Sequence, residues 1–485
     1  MYIVHLTSEL APLAKVGGLG DVTTGLSKAL TAEGEEVEVI LPFYDHIDRK
    51  KLKNLQVVFE NLVFHENVNT LYSAEVEGVK TLLIAPENNF FKRGRIYGEE
   101  DDTLRFLYFT SVALEYLLKA NKPIDALHLH DWLTALAAPL YYEKYQALGL
   151  RVRGIMTSIH NMKYQGVCST EHFSRVGLNP DLFLKEDKLQ DPTHPDKLNL
   201  LKGGLVYSDS LTTVSPSYAD EIKGEEGFGL GPLIQKNGGK LRGILNGIDT
   251  LYWNPETDPF LKKNYPAKLL SLDELQDDKR ANRKGLDKML QMDYDPNPLF
   301  TCITRLAEQK GPQLIRFGLE YVLKKGGQFI LLASTPEENL KEEFYALAEE
   351  YQDNPHVHFH FVFDEELAHL TYAAADCILV PSLFEPCGLT QMIALRYGTI
   401  PIVHKVGGLK DTIFDIEHED QPLSMRNGYT FDFPSNDSLR WSIDRAFEHL
   451  RNDPKKWERM LRNGFSHDWS WKKSALEYLE IYRSF

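Results

Sequence analysis

Four cysteines in 485 residues are too few to brace a chain of this length. Cys168, Cys302, Cys377 and Cys387 contain no C-x-x-C pair. That argues against a zinc site, a thioredoxin-type motif and a disulfide framework, and fits a reducing cytosol. Long apolar runs are missing too: none approaches the ~18–20 residues that a membrane span needs. Nor is there a basic excess. The net charge of −16 argues against nucleic acid and anionic membranes as partners, because both require basic surface. An anionic small substrate stays open, since a local cluster of Lys, Arg and helix N-termini suffices for it. No low-complexity tract and no fixed-period repeat is visible. The start, Met1-Tyr2-Ile3-Val4-His5-Leu6-Thr7, lacks the basic n-region and long apolar core of a leader peptide and reads as a strand. This points to the cytoplasm rather than a plastid stroma.

What is present is an ordinary globular mix, 43% hydrophobic and 26% charged. A single core seldom grows past ~250–300 residues, so two domains are expected. The order of elements agrees. An apolar run from Tyr2 to Leu6 is followed by the Gly-rich loop Lys15-Val16-Gly17-Gly18-Leu19-Gly20-Asp21. Next come Val22, Leu26, Ala29 and Leu30 at helical spacing, Gly34, and a second apolar run at 37–41. Strand, glycine loop, helix, strand is a βαβ unit. Further strands are expected at 81–85, 126–129, 154–159 and 210–214, with a charged, Pro-interrupted excursion at 182–200. A second α/β series follows, with strands at 299–303, 329–333, 357–363, 377–380 and 400–403 and a helix over Pro312–Lys324. The expected division is 1–246, 247–461, and closing helices at 462–485 that pack back on the first domain. Two doubly wound α/β domains would face each other across a cleft, with ligands beyond the carboxyl ends of the strands.

Several strand ends carry chemistry. The loop 15–21 could cradle a phosphate at a helix N-terminus. It is neither G-x-x-x-x-G-K-[ST] nor G-x-G-x-x-G, and pattern alone leaves open a tight turn that binds nothing. Arg305 and Lys310 follow the first strand of the second domain, where fixed positive charge could grip a diphosphate leaving group; taken alone, the pair reads more readily as a solvated basic turn. His128 and His130 stand at i, i+2 before Asp131 and Trp132, but no third metal ligand is near in sequence, so no metal site is expected. His160-Asn161 and Tyr164-Gln165-Gly166 end another strand with groups a sugar could use. Phe384-Glu385-Pro386-Cys387-Gly388-Leu389 follows the strand at 377–380, and a second glycine pair, Gly407-Gly408, echoes Gly17-Gly18.

Taken in order, these segments resemble the bacterial glycogen synthase and plant starch synthase family. Lys15-Val16-Gly17-Gly18-Leu19 is similar to that family's Lys-x-Gly-Gly-Leu signature, with the valine of a starch synthase and cyanobacterial branch. His130-Asp131-Trp132, His160-Asn161, Ser215-Pro216, Asn246-Gly247-Ile248-Asp249, Arg305 to Gly311, Phe384 to Leu389 and Gly407-Gly408-Leu409 all fall in family order. The resemblance spans Met1 to about Trp471. It implies a two-domain GT-B glycosyltransferase, acceptor side first and donor side second. The implied reaction is retaining transfer of glucose from ADP-glucose to the non-reducing end of an α-1,4-glucan, with no metal or other cofactor. On that model Lys15, Arg305 and Lys310 neutralise the diphosphate. Gly17, Gly18 and the amides near Gly408 and Leu409 hold phosphate or sugar oxygens. Glu385 binds glucose hydroxyls, His160 and Asn246 contact the transferred glucose, and Asp131 sits near the acceptor end. Phe363 stacks on adenine, and Asp21, Cys387, Gly388 and Leu389 complete the substrate-binding set. The eighth residue after Glu385 is Ile393, so the Glu-x₇-Glu pattern of wider GT-B enzymes is absent, as is common in this branch. The rivals are a GT-B enzyme with a small sugar acceptor and a non-catalytic glucan-binding scaffold. A scaffold should have lost the phosphate cations, and Lys15, Arg305 and Lys310 are all retained.

Overall fold

Apolar runs punctuated by glycine, each followed by an amphipathic stretch, fold here as parallel strands with crossover helices. The computed structural model describes residues 1–485 except 293, 336, 363, 419 and 420. The chain divides into one unit of Met1–Gly247 with Trp471–Phe485, and a second of Ile248–Ser470.

The first unit is built on β1 (Tyr2–Leu6), β2 (Glu36–Pro42), β3 (Lys53–Phe64), β4 (Asn67–Val76), β5 (Val79–Pro86), β6 (Ile124–His130) and β7 (Val152–Ile159). A separate two-stranded ladder pairs β8 (Val167–Cys168) with β9 (Leu198–Asn199), and β10 (Ser210–Thr213) and β11 (Leu241–Gly243) finish the main sheet. Its order is β11-β10-β7-β6-β1-β2-β5-β4-β3. All neighbours run parallel except β3 and β4, an antiparallel extension beyond β5. The order reverses direction between β1 and β6, the switch point where open α/β sheets bind ligands. The helix Gly18–Ala32 follows β1, buries Leu19, Val22, Leu26 and Leu30, and ends before Gly34, whose φ is +88°.

The second unit carries β12 (Leu299–Arg305), β13 (Gln328–Ser334), β14 (Val357–His360), β15 (Cys377–Val380), β16 (Ile400–His404) and β17 (Tyr429–Phe431), all parallel, in the order β14-β13-β12-β15-β16-β17. This is the 3-2-1-4-5-6 winding of a dinucleotide-binding fold, with its switch point between β12 and β15.

Two boundaries differ from expectation. The first unit runs to Gly247 rather than 246, and the return to it begins at Trp471 rather than 462. The helix Pro454–Ser466 stays with the second unit, where Gly464 packs against Leu395. Only the helix Trp471–Ser484 crosses back. Its indole fills a notch that Gly25 leaves, since a Cβ there would lie 2.0 Å from Trp471 Nε1. Ser474 Oγ donates to the Leu245 carbonyl at 2.5 Å. The strands β3 and β4, and the helix Leu272–Leu290, were not foreseen. That helix buries only six of its residues, among them Lys279, Arg283 and Asp287, so charge masks its period. All four cysteines are free and buried. No helix among the described residues is long and apolar enough to cross a membrane.

Trp471 is only 5% exposed, and its loss would leave an unfilled notch on the helix Gly18–Ala32. Trp471→Ala is expected to destabilise the first unit by ~3–5 kcal/mol, read as an earlier midpoint in urea unfolding followed by circular dichroism.

Candidate functional site

The carboxyl ends of β1, β6 and β7 carry the first unit's candidate residues. Past β1 the backbone brings in Glu9, only 3% exposed. One of its carboxylate oxygens accepts the amides of Val16 at 2.8 Å and Gly17 at 3.1 Å, and the other accepts the Tyr97 hydroxyl at 2.8 Å. This corrects the expectation that the amides of the loop 15–21 face outward. Those of Val16 and Gly17 point back at a resident carboxylate that fixes the loop's shape. Gly18 is the open position, because a Cβ there would meet no atom within 4 Å. Lys15 Nζ lies 2.8 Å from Asp21, and both side chains are partly exposed. The two residues therefore form an ion pair across the loop.

Asp131 follows β6 with φ +55° and ψ −172°, a region that costs a non-glycine residue backbone strain. Its Oδ1 accepts the amides of His160 at 2.7 Å and Asn161 at 3.4 Å, which pins the end of β7. Burial pushes the Asp131 carboxyl up to about 7, against the pull of those two amides. Behind His160 stands a row of imidazoles. His160 Nε2 lies 3.0 Å from His130 Nδ1, and His130 Nε2 lies 3.0 Å from His5 Nδ1. Burial pushes both His160 and His5 down to about 3, so both are neutral.

The third imidazole that the sequence did not supply beside His128 and His130 is His5, from the neighbouring strand β1, where it pairs in register with His128. Their ligand atoms gather within 4.8 Å, but five of the six nitrogens are already hydrogen-bonded, His5 Nε2 being the exception. His128 Nε2 is 2.6 Å from Ser158 Oγ, and its Nδ1 is 2.8 Å from Tyr482 Oη. The cluster is a hydrogen-bonded ladder. Gly166 is structural, since a Cβ would fall 2.3 Å from the Trp132 ring. Asn246 is 6% exposed, and its Oδ1 has no hydrogen-bond partner among the described residues.

In the second unit two loops meet at the switch point. Gln309 O accepts the Leu383 amide at 2.8 Å, and Gln309 Nε2 donates to the Phe384 carbonyl at 3.1 Å. Gly311, at φ +67°, lets the loops touch: a Cβ would sit 2.4 Å from Pro381 O. This brings Lys310 onto Glu385, whose Oε2 also accepts Ser382 Oγ at 2.8 Å. Glu385 is thus held by a cation and a hydroxyl rather than by a helix N-terminus. Arg305, the last residue of β12, is exposed and makes no ion pair among the described residues. Cys387 is buried, and Gly388 has φ +74°.

The expectation for Gly408 and Leu409 needs correction. The Gly408 amide donates to the Glu385 carbonyl at 3.0 Å, and that of Leu409 to Val406 O at 3.0 Å. Neither is spare. Gly408 is glycine because a Cβ would lie 2.3 Å from the Cys387 carbonyl oxygen. The amides of Gly388 and Leu389, in contrast, donate to no described residue. Phe363 lies outside the described residues.

Sequence reading missed Glu9 and His5; His5 is a single polar residue in the apolar strand β1, Glu9 sits in the turn just past it, and the partners of both come from elsewhere in the chain. Asp131 allows a pH test. An unfolded Asp titrates at about 3.9, and folded Asp131 titrates at about 7. The folded state therefore holds this proton more tightly. Its contribution to stability is full below about pH 4 and is lost as pH rises through about 7. Asp131→Asn keeps an oxygen acceptor with no charge to desolvate. Stability of the variant relative to wild type should rise from pH 5 to pH 8 in urea titrations, and a flat difference would contradict this account.

Comparison with known proteins accords with this geometry. The family model "Starch synthase catalytic domain" matches residues 2–236, and "Glycosyl transferases group 1" matches residues 292–465. The chain is 45% identical to a glycogen synthase of Protochlamydia amoebophila, over 100% of this chain and 99% of that protein. It is 42% identical to a probable starch synthase 4 of Arabidopsis thaliana, over 99% of this chain and 47% of that protein. The solved catalytic domain of starch synthase IV from Arabidopsis thaliana, bound to ADP and acarbose, superposes with a TM-score of 0.94 at 42% identity, covering 100% and 99% of the two chains. A sucrose-phosphate synthase from Thermosynechococcus elongatus, at 18% identity and TM-score 0.62 over 100% and 98% of the two chains, shares the fold alone. With two doubly wound α/β units of GT-B type and full-length identity of this order, the chain belongs to the glycogen synthase and starch synthase family of glycosyltransferases.

Proposed function

We propose that this chain transfers glucose from ADP-glucose to the non-reducing end of an α-1,4-glucan with retention, releasing ADP. The observation that carries the reading is the Glu385–Lys310–Ser382 cluster beside Arg305 at the switch point of the six-stranded sheet. ADP as the leaving nucleotide is supported by the 42% identical starch synthase IV domain that binds ADP.

When the bond from glucose to diphosphate breaks, negative charge grows on phosphate and positive charge on the sugar carbon. Arg305 and Lys310 are preset cations for the first, at no cost of reorganisation during the reaction. Lys15 adds a third, with Asp21 holding it in place until a stronger anion competes. With side chains supplying this charge, the reading assigns no role to a metal. In Glu385, Oε2 is taken by Lys310 and Ser382, so Oε1 is the acceptor for a glucose hydroxyl. The spare amides of Gly388 and Leu389 suit phosphate or sugar oxygens, and the unpartnered Asn246 Oδ1 suits a sugar hydroxyl. Gly18 gives a ligand room to approach the backbone. Asp131 acts by pinning His160 and Asn161, and His160 meets the transferred glucose. The reading places the reaction in the cytoplasm, which four free cysteines fit.

The deciding measurement is ADP release from ADP-glucose with and without glycogen. Release should depend on glycogen, and Arg305→Ala and Lys15→Ala should each lower kcat by roughly 10²–10³-fold. Well-folded protein that releases no ADP with any glucan would overturn the reading in favour of a glucan-binding scaffold.

A further inference from the structure

His5, His130 and His160 lie on or just beyond β1, β6 and β7, three strands that are neighbours in the sheet. Their rings meet edge to edge through the 3.0 Å nitrogen contacts, with planes not far from parallel. Centroids are 5.3 Å apart with planes 19° from parallel for His5 and His130, and 5.2 Å and 30° for His130 and His160. Each neutral imidazole has one N–H and one bare nitrogen. A chain of such rings therefore has only two internally consistent states, in which every link donates toward His160 or every link donates away from it. The end of the chain decides which holds. His5 Nε2 is buried and has no hydrogen-bond partner among the described residues. A buried N–H without an acceptor is the rarer and costlier orphan, so the bare nitrogen belongs at that end. The proton of His5 then lies on Nδ1 and is donated to His130 Nε2. That of His130 lies on Nδ1 and is donated to His160 Nε2. The proton of His160 is left on Nδ1, the ring nitrogen at the opposite end of the chain from His5 Nε2.

We propose that His5 and His130 are positioning residues that lock His160 as the Nδ1–H tautomer, so that it meets the sugar as a hydrogen-bond donor and not as a base. The role given to the sugar rests on the function proposed above; the lock itself does not. Burial keeps every member neutral: His5 and His160 are pushed down to about 3, and His130 lies well below the ordinary histidine range. No member can therefore break the chain's polarity by taking up a second proton near neutral pH. His128, whose ring is tilted against that of His130 with centroids 4.1 Å apart, cannot divert the chain, because Ser158 and Tyr482 occupy both its nitrogens.

Neutron diffraction from crystals of the deuterated full-length protein reads the tautomers directly. Deuterons on Nδ1 of all three rings are expected. A deuteron on Nε2 of His160 would overturn the proposal. His5→Asn keeps an N–H donor where Nδ1 stood, whereas His5→Phe removes it. With His5→Phe, kcat should fall roughly 10–100-fold, KM for ADP-glucose should change little, and the His160 deuteron should spread over both nitrogens. His5→Asn should restore both. An unchanged His160 deuteron in His5→Phe would count against the lock. Should that variant fail to fold, the wild-type and His5→Asn maps decide. Deuterons as expected, combined with unchanged turnover in His160→Ala, would uphold the lock and overturn the sugar-facing role of His160.

Discussion

In a parallel sheet every strand delivers its carboxyl end to the same edge, and where the winding reverses, two loops leave in opposite directions and open a gap. Both units of this protein obey that constraint, and nearly everything chemical follows from it. Between β1 and β6 the gap receives Glu9, Asp131 and the row of imidazoles. Between β12 and β15 it receives Arg305, Lys310, Ser382 and Glu385. Helix packing on the two faces is generic; the edge is where this sequence becomes particular.

At the edge of the first unit two buried carboxylates organise backbone before it can meet a ligand. Glu9 gathers the amides of Val16 and Gly17, and Asp131 gathers those of His160 and Asn161. The carboxylates convert two loose turns into fixed ones. The cost is concentrated at Asp131, through its strained backbone and its poorly solvated charge. Stability spent on geometry in this way is common at functional sites.

The same constraint explains what could be read from the sequence. Strands of the parallel sheets are continuous apolar runs, and their ends are marked by glycine and charge. The loop 15–21, His160, Arg305, Lys310 and Glu385 could therefore be placed at strand ends from the sequence. The antiparallel strands β3 and β4 were not foreseen, because β3 is mostly exposed and its apolar residues come only in the short triplets 57–59 and 62–64. Glycine pairs misled in one respect. Gly17-Gly18 and Gly407-Gly408 look alike in sequence, yet Gly408 serves close backbone packing on Cys387, while Gly18 faces open space. A glycine signals that room is needed without saying whether protein or ligand takes it. Glu9 and His5 were invisible for a different reason. Their meaning lies in contacts with residues from Val16 to His130, and nothing local to either residue announces them.

The fifteen residues from Trp471 onward belong to the unit that the ribosome makes first. The second unit, Ile248–Ser470, contains all its own strands and takes none of these residues into its sheet. The first unit depends on them: the notch at Gly25 and the ring of His128 wait for Trp471 and Tyr482. Domains generally mature from the amino terminus during synthesis, and here the order is inverted. The first unit therefore stays unsealed until Trp471 and Tyr482 have been made, after every residue of the second unit, and only then can the ring of His128 in its imidazole cluster be closed over.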